Sequence, residues 1–368
     1  MPRHGKIGID TIMMDKNFWN GKRVFLTGHT GFKGSWLALW LNELGAKVHG
    51  YALAPETSPS LFVEARVIEK IDSEIGDIRD LTKLQESMAK FDPDILIHMA
   101  AQPLVRLSYE KPIETYDVNV MGTVKVLEAA RSCPSLKSIL SITTDKCYEN
   151  KEWEWGYRES EAMGGYDPYS SSKGCAELVT SAYRRSFLQE SGVGLASARA
   201  GNVIGGGDWS GDRLIPDILN AFENNETVIV RNPKSTRPWQ HVLEPLSGYL
   251  ILAQKLYESP LDYAEGWNFG PKDDDVKPVE WILDEMVKKW SGASWQLDGN
   301  SHPHEAGCLK LDISKAKLKL NWQPIWRLDE TLERITDWHQ AWIDKKDMQK
   351  ICLNQINEFM RDMNNENQ

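Results

Sequence analysis

A phenol and an ammonium on one helical face are enough to take a proton from an alcohol, and Tyr169-Ser170-Ser171-Ser172-Lys173 supplies both. At this spacing the two side chains reach the same substrate atom. Oxidising a hydroxyl needs a base for its proton while hydride leaves to a nicotinamide. A tyrosine serves as that base only when a nearby positive charge stabilises its anion, and Lys173 can provide one. Tyr-x-x-x-Lys arises often by chance. Its position after a strand that ends in Thr143 and Thr144 makes it specific.

The second chemical signal is Thr27-Gly28-His29-Thr30-Gly31-Phe32-Lys33-Gly34, which joins a strand to a helix. Three glycines spaced in this way suit a tight turn, close approach of a pyrophosphate and a helix packed hard on its strand. The helix N-terminus then faces the anion. A purely structural turn would use the same glycines, but its place between strand and helix favours phosphate. The candidate contacts are Gly28, Thr30, Gly31, Phe32 and Gly34. The next strand ends in Tyr51-Ala52-Leu53-Ala54-Pro55-Glu56 without a carboxylate at its tip, where one commonly holds the adenosine ribose. NAD and NADP therefore both stay open, and Thr57 or Ser58 is an alternative ribose contact. Asp77 is placed to accept from the adenine amino group, with Ile78 against the ring; capping a helix that starts near Leu81 is an equal alternative.

These groups need a frame. From Lys22 onward, β-type runs alternate with helical patterns, which predicts a parallel sheet covered on both faces: an α/β, Rossmann-type doubly wound fold. The predicted strands are Arg23 to Thr27, Lys47 to Tyr51, Ile71 to Ile75, Ile95 to Met99, Ser138 to Thr143 and Val193 to Ala200. Helices are predicted over Ser35 to Leu44, Leu81 to Phe91, Ile113 to Arg131 and Tyr169 to Glu190. After Gly201 the regularity fades, with a short helix at Leu214 to Asn224 and a strand at Val228 to Arg231. Two later helices, Val279 to Trp290 and Leu328 to Ile343, carry tryptophans that read as packing residues. The expected organisation is a tail over 1–20 and a dinucleotide-binding domain over 21–200 with a returning segment near 236–270. A smaller mixed substrate-binding domain takes 201–235 and 271–345, and a C-terminal helix with a frayed end takes 346–368. Met13 and Met14 are possible alternative starts.

The 368 residues are 41% hydrophobic with a formal net charge of -10. A negative chain with scattered basic residues repels nucleic acid, yet a nest of N–H groups still attracts a nucleotide's phosphates. Five widely spaced cysteines without a Cys-x-x-Cys fit a reducing cytoplasm. No run is long and apolar enough for a signal or a membrane span. His302-Pro303-His304-Glu305 lacks further ligands at regular spacing, so no metal is expected.

The chain resembles an extended short-chain dehydrogenase/reductase, and within that group a nucleotide-sugar 4,6-dehydratase, from about Lys22 to Lys345. Besides the glycine turn and the Tyr169/Lys173 pair, the likeness rests on His98-Met99-Ala100-Ala101-Gln102, Asn119-Val120-Met121-Gly122-Thr123 and Arg199-Ala200-Gly201-Asn202-Val203. It implies that Ala100, Ala101, Gln102 and Asn119 help to hold the cofactor, that Lys173 also holds its ribose, and that Thr144 and Tyr169 bond the sugar hydroxyl at C4. Members of this family usually carry Thr-Asp-Glu, the Asp protonating the C6 hydroxyl and the Glu removing the C5 proton. This chain has Thr144-Asp145-Lys146, a departure associated with the branch that acts on CDP-linked glucose. Lys146 can be the C5 base only if its pKa drops by several units from ~10.4; otherwise it neutralises Asp145 or a phosphate. The resemblance also places Arg106, Asn202, Arg213, Arg231, Arg237 and His241 around the sugar diphosphate, where a guanidinium fork suits phosphate. The implied reaction is NAD-dependent: C4 oxidation, loss of water across C5 and C6, and hydride return to C6, on the way to deoxysugars of surface polysaccharide such as the lipopolysaccharide O-antigen. A homodimer or dimer of dimers, paired through Asn119 to Arg131 and Tyr169 to Glu190, is part of the same expectation. The rival readings are a nucleotide-sugar 4-epimerase, a dehydratase of another sugar nucleotide, and a non-catalytic NAD-binding regulator.

Overall fold

The computed structural model describes residues 14–298 and 308–366. Its centre is a seven-stranded sheet of β1 (Arg23–Thr27), β2 (Lys47–Ala52), β3 (Asp72–Ile75), β4 (Ile95–His98), β5 (Ser138–Ile142), β6 (Gly194–Ala200) and β7 (Gly266–Phe269). Every neighbouring pair is parallel, in the order β7-β6-β5-β4-β1-β2-β3. The chain order reverses between β1 and β4, so the loops after both strands diverge and leave a crevice at their C-terminal ends.

Alternate side chains explain why both faces are covered. Val24 and Leu26 of β1 point into one core with Ile95, Ile97, Leu140 and Ile142, under helices Phe32–Glu43 and Leu243–Glu258. Phe25 points to the other face with Leu96, Ile139 and Leu195, under Leu81–Phe91 and Thr123–Ala130. A third core joins helix Leu214–Glu223 and strand Val228–Val230 to helices Val279–Lys289 and Leu328–Ile343, beside the sheet. Gln240–His241 pairs with Val203–Ile204, Val276–Pro278 with Thr236–Pro238, and Trp295–Leu297 with Val228–Val230.

The six predicted strands form, each within a residue or so of its expected bounds. The first of the predicted helices, which follows a short helix Lys16–Trp19, starts earlier than expected, at Phe32, because glycines 31 and 34 let it begin inside the turn. The expected helix over Ile113 to Arg131 is Pro112–Tyr116, a wider π-type turn Asp117–Gly122, and Thr123–Ala130. The Tyr169 helix likewise runs Pro168–Tyr183 and then widens over Arg184–Leu188. Helix Met348–Glu366 runs to the last described residue, with Phe359 and Met363 buried against the first core. The tryptophans of the later helices are packing groups, Trp338 fully so. Among the described residues no helix is long and apolar enough to cross a membrane, and no group of three His, Cys, Asp or Glu could hold a metal. The motif His302-Pro303-His304-Glu305 lies outside the described residues.

Candidate active site

The crevice opens into a cleft of about 1320 Å³, larger than the ~300–1,000 Å³ of an ordinary small-molecule site. It has room for two extended ligands end to end. One end is built by the glycine turn. Gly28 has φ +79°, and a Cβ there would lie 2.7 Å from Ala100 N; a Cβ on Gly34 would collide with Gly28 O. Gly31 precedes helix Phe32–Glu43 without any side-chain cap, so the first N–H groups of the helix are left for an anion. Thr30 braces the far side through Oγ1 to Leu53 O at 2.8 Å. A cradle that added side-chain atoms would fill, at an uncapped helix start, fits a dinucleotide pyrophosphate.

The loop after β4 is tied to this turn by a chain of bonds. Thr27 Oγ1 accepts from Met99 N at 3.0 Å and Ala100 N at 3.1 Å, and contacts His98 Nδ1 at 2.8 Å. His98 Nε2 lies 3.1 Å from Thr123 Oγ1, whose proton goes to Asn119 O at 2.7 Å. His98 therefore donates from Nε2 and stays neutral; burial, then the Lys173 charge, holds its pKa near 3. Asn119 sits in the wider turn and does not line the cleft. It bonds Gln102 N at 2.9 Å, Gln102 O at 3.0 Å and Ser172 Oγ at 2.9 Å, so it positions Ala100, Ala101 and Gln102, which do line it.

Asp77 and Ile78 line the cleft, but Asp77 is gripped by Arg79, whose Nη2 donates at 2.6 Å and Nε at 3.0 Å. That grip holds the Asp77 carboxyl below its usual range. The helix Leu81–Phe91 is capped by Asp80, not Asp77, which removes the capping alternative. Thr57 lines the cleft.

Tyr169 and Lys173 stand at the cleft's middle because Asp167 and Pro168 fix where their helix begins. Asp167 accepts from Ser170 N at 2.9 Å and Ser170 Oγ at 2.6 Å, and Pro168 occupies the first position. The phenol shares a hydrogen bond with Thr144, which opposes a burial effect that pushes its pKa up to about 12. Lys173 Nζ donates to Ile142 O at 3.3 Å; burial pulls its pKa down to about 8 against the pull of Glu177. Glu177 is itself clasped by Arg199, at 2.7 Å and 2.9 Å, and receives Ser197 Oγ at 2.7 Å.

Asp145 and Lys146 are split by the 3-10 turn Asp145–Cys147. Lys146 faces the cleft, while Asp145 is fully buried behind it, its Oδ1 accepting from Thr144 Oγ1 at 2.9 Å and lying 3.8 Å from Lys146 Nζ. Packing against Gly201, where a Cβ would collide with the carboxylate, keeps it there. Asp145 was expected to reach a C6 hydroxyl directly, but it does not line the cleft; the neighbour that does, and that bonds it, is Thr144.

On the substrate side Arg106, Asn202, Arg213, Arg231 and Arg237 all line the cleft. Asn202 has φ +45° and a buried Oδ1 without a hydrogen-bond partner among the described residues. His241 does not join them. It is buried with its ring 4.9 Å from Trp326 and 6.3 Å from Trp36, because strand Gln240–His241 turns it into the first core. Sequence reasoning missed Lys33, which lines the cleft and donates to Tyr249 Oη at 3.2 Å; burial, then the charges of Lys173 and Arg213, hold it near 7. A charged residue inside a glycine turn was the available signal. The five cysteines are free, with Cys147 buried and its thiol pushed up by burial.

Residues 25–335 match the family model described as GDP-mannose 4,6 dehydratase. The chain is 63% identical, over 95% of its length and 99% of the relative's, to the CDP-glucose 4,6-dehydratase of Salmonella typhimurium. Among solved structures it is similar to the Bacillus anthracis dTDP-glucose 4,6-dehydratase in complex with NAD (TM-score 0.73, 19% identity, covering 89% of this chain and 100% of that one). It is also similar to the Thermotoga maritima UDP-glucose 4-epimerase with UDP-glucose (TM-score 0.75, 19% identity, 87% and 99%). At these identities the structural likeness speaks for the fold.

Proposed function

The chain belongs to the GDP-mannose 4,6-dehydratase family, and on that premise we propose that it converts CDP-glucose to CDP-4-keto-6-deoxyglucose, using NAD that is reduced and reoxidised within each turnover. The observation that carries this reading is the shared wall of Thr144, Lys146 and Tyr169 in one cleft with the glycine turn. Bound nicotinamide supplies reversible hydride exchange. Gly28, Gly31, Gly34 and the start of helix Phe32–Glu43 hold its pyrophosphate, with Ala100 to Gln102 beside it.

Tyr169 takes the proton of the C4 hydroxyl, helped by Thr144 and by the Lys173 charge. A ketone at C4 acidifies the C5 proton, which is why a dehydration begins with an oxidation. Lys146, facing the cleft, removes that proton as the neutral amine and passes it to the departing C6 oxygen, so that water leaves before hydride returns to C6 and a solvent proton to C5; Asp145 behind it, at 3.8 Å, stabilises the ammonium formed between the two transfers. Arg213 and Arg237 clamp the diphosphate. Met121, Leu178 and Phe187 are exposed on the two segments expected to join two copies, which supports a homodimer, and the five free cysteines fit a reducing cytoplasm.

The test is incubation with CDP-, dTDP- and UDP-glucose and GDP-mannose, with NAD or NADP, followed by product mass. Loss of one water from CDP-glucose is expected; retention of the C6 oxygen would make the protein an epimerase. In deuterated water Lys146→Ala should abolish C5 exchange and spare C4 oxidation, and unchanged exchange would remove Lys146 from the role.

A further inference from the structure

Three aspartates and two arginines meet where helix Leu214–Glu223 begins. Arg106 Nη1 donates to Asp212 Oδ1 at 2.6 Å, and Arg213 Nη1 donates to Asp208 Oδ2 at 2.9 Å. Both arginines are thereby matched. Asp217, in the first turn of the same helix, opens to the cleft and makes no side-chain hydrogen bond or ion pair among the described residues. An unmatched carboxylate on the wall of a site for a sugar diphosphate repels its own ligand unless some other part of that ligand brings a donor. Partial desolvation, then the charge of Asp212, push its pKa up to about 6 against the pull of Arg106, whose own hydrogen bond goes to Asp212.

The order of groups along the wall says which part of the ligand arrives there. If the glucose C4 is at Tyr169 and the phosphates are at Arg213, the nucleoside must lie beyond them. Asp217 N bonds Arg213 O at 3.0 Å, so the carboxylate stands one helical turn past the phosphate clamp. Leu214 and Ile229 line the same cleft, Ile229 being 53% exposed on strand Val228–Val230, and aliphatic side chains of this kind offer a flat surface for a ring. A cleft wall that combines such a surface with an acceptor-only group suits a base whose outer edge is an amino group.

We infer that Asp217 is the residue that selects cytosine, accepting a hydrogen bond from the exocyclic amine. Uracil and thymine present a carbonyl oxygen at that position, and two acceptors facing each other are repelled. This inference rests on the proposed reading of the protein as a sugar-nucleotide dehydratase and assigns its base preference to one side chain.

The experiment measures binding of CDP, UDP and dTDP by titration calorimetry to the wild-type protein, Asp217→Asn and Asp217→Ala, together with kcat and KM on CDP- and UDP-glucose. Asp217→Ala should weaken CDP by about 10- to 100-fold, leave UDP and dTDP unchanged or tighter, and raise KM for CDP-glucose with kcat preserved. Asp217→Asn, whose amide can also donate, should narrow the CDP-to-UDP ratio in the same direction. Equal weakening of all three nucleotides would place the carboxylate on the ribose or in the scaffold and overturn the inference, as would an unchanged ratio. Binding is read without turnover, so a protein that prefers CDP but dehydrates no sugar nucleotide would refute the reaction and leave the base assignment standing.

Discussion

Thr144 Oγ1 donates to Asp145 Oδ1 at 2.9 Å while the same hydroxyl shares a hydrogen bond with the phenol of Tyr169. A threonine has one proton and two lone pairs, so it can serve the buried carboxylate while Tyr169 is neutral and turn to the phenolate once Tyr169 ionises. Thr144→Val should therefore slow C4 oxidation by about 10²-fold or more, and Thr144→Ser should stay within about tenfold of wild type. Single-turnover absorbance of the reduced nicotinamide measures both.

Removing the phenol itself is more severe. Tyr169→Phe keeps the ring that fills the cleft wall and deletes only the base, so the variant should bind NAD and CDP-glucose normally while C4 oxidation falls by about 10²- to 10⁴-fold. Equilibrium titration beside single-turnover kinetics separates these effects. Intact oxidation in Tyr169→Phe would exclude the phenol as the base.

The phosphate turn gives a prediction that does not depend on the sugar. A methyl group on Gly34 has nowhere to go but into Gly28 O, and one on Gly28 meets Ala100 N at 2.7 Å in a backbone with φ +79°. Gly34→Ala should cost at least tenfold in NAD affinity, read by quenching of protein fluorescence, with CDP binding at the other end of the cleft unchanged.

The frame of this site was legible in the sequence, but the orientation of its side chains was not. Short β-type runs between period-3.6 helical stretches identify β1 to β6, most clearly β1, β4, β5 and β6, whose burial on both faces leaves continuous runs. The seventh strand, Gly266–Phe269, has too few residues and too much Trp and Asn to carry such a signal. Motif spacing found Tyr169, Lys173 and Thr144, since one helix and one strand end fix them locally. It misjudged His241, whose direction is set by a two-residue strand paired with Val203–Ile204, and it could not see that Asp145 turns inward because Gly201 leaves room for it. Both are long-range packing outcomes, invisible to local spacing.

Two buried amines make stability depend on pH in a defined direction. Lys33 is held near 7 and Lys173 near 8, against an ordinary 10.5 in the unfolded chain. Between those values the unfolded state binds more protons than the folded one, so stability rises with pH through the window; below about 7 both states are protonated and the burial penalty is fully present. The cofactor-free protein should therefore melt at higher temperature at pH 8.5 than at pH 7, by about 2–5 °C. Buried thiols pull the opposite way as their unfolded counterparts ionise at about pH 8.5, which trims the rise at the top of the window, and buried phenols do so above about pH 9. Lys33→Met should raise the melting temperature at pH 7 and flatten the slope, and a slope unaffected by that change would assign the effect elsewhere.

The strongest structural dependence lies beneath Lys173. Arg199 clasps Glu177 through two bonds, and its remaining nitrogen donates to Tyr148 Oη at 2.6 Å, which passes its own proton to Asn268 Oδ1 at 2.7 Å. Arg199 and Glu177 are each 5% exposed. Cutting such a pair on one side strands a buried charge and costs about 3–5 kcal/mol, whereas replacing both members removes the stranded charge and recovers much of the loss. Arg199→Met should thus lower the denaturant midpoint sharply, and Arg199→Met combined with Glu177→Leu should regain most of it. The double variant keeps its fold but loses the carboxylate whose field opposes the burial of Lys173, so Lys173 should become neutral at a lower pH. Its rate of C4 oxidation should then decline at a pH below that of the wild type, and a matching pH profile would show that Glu177 supports the fold without tuning the amine.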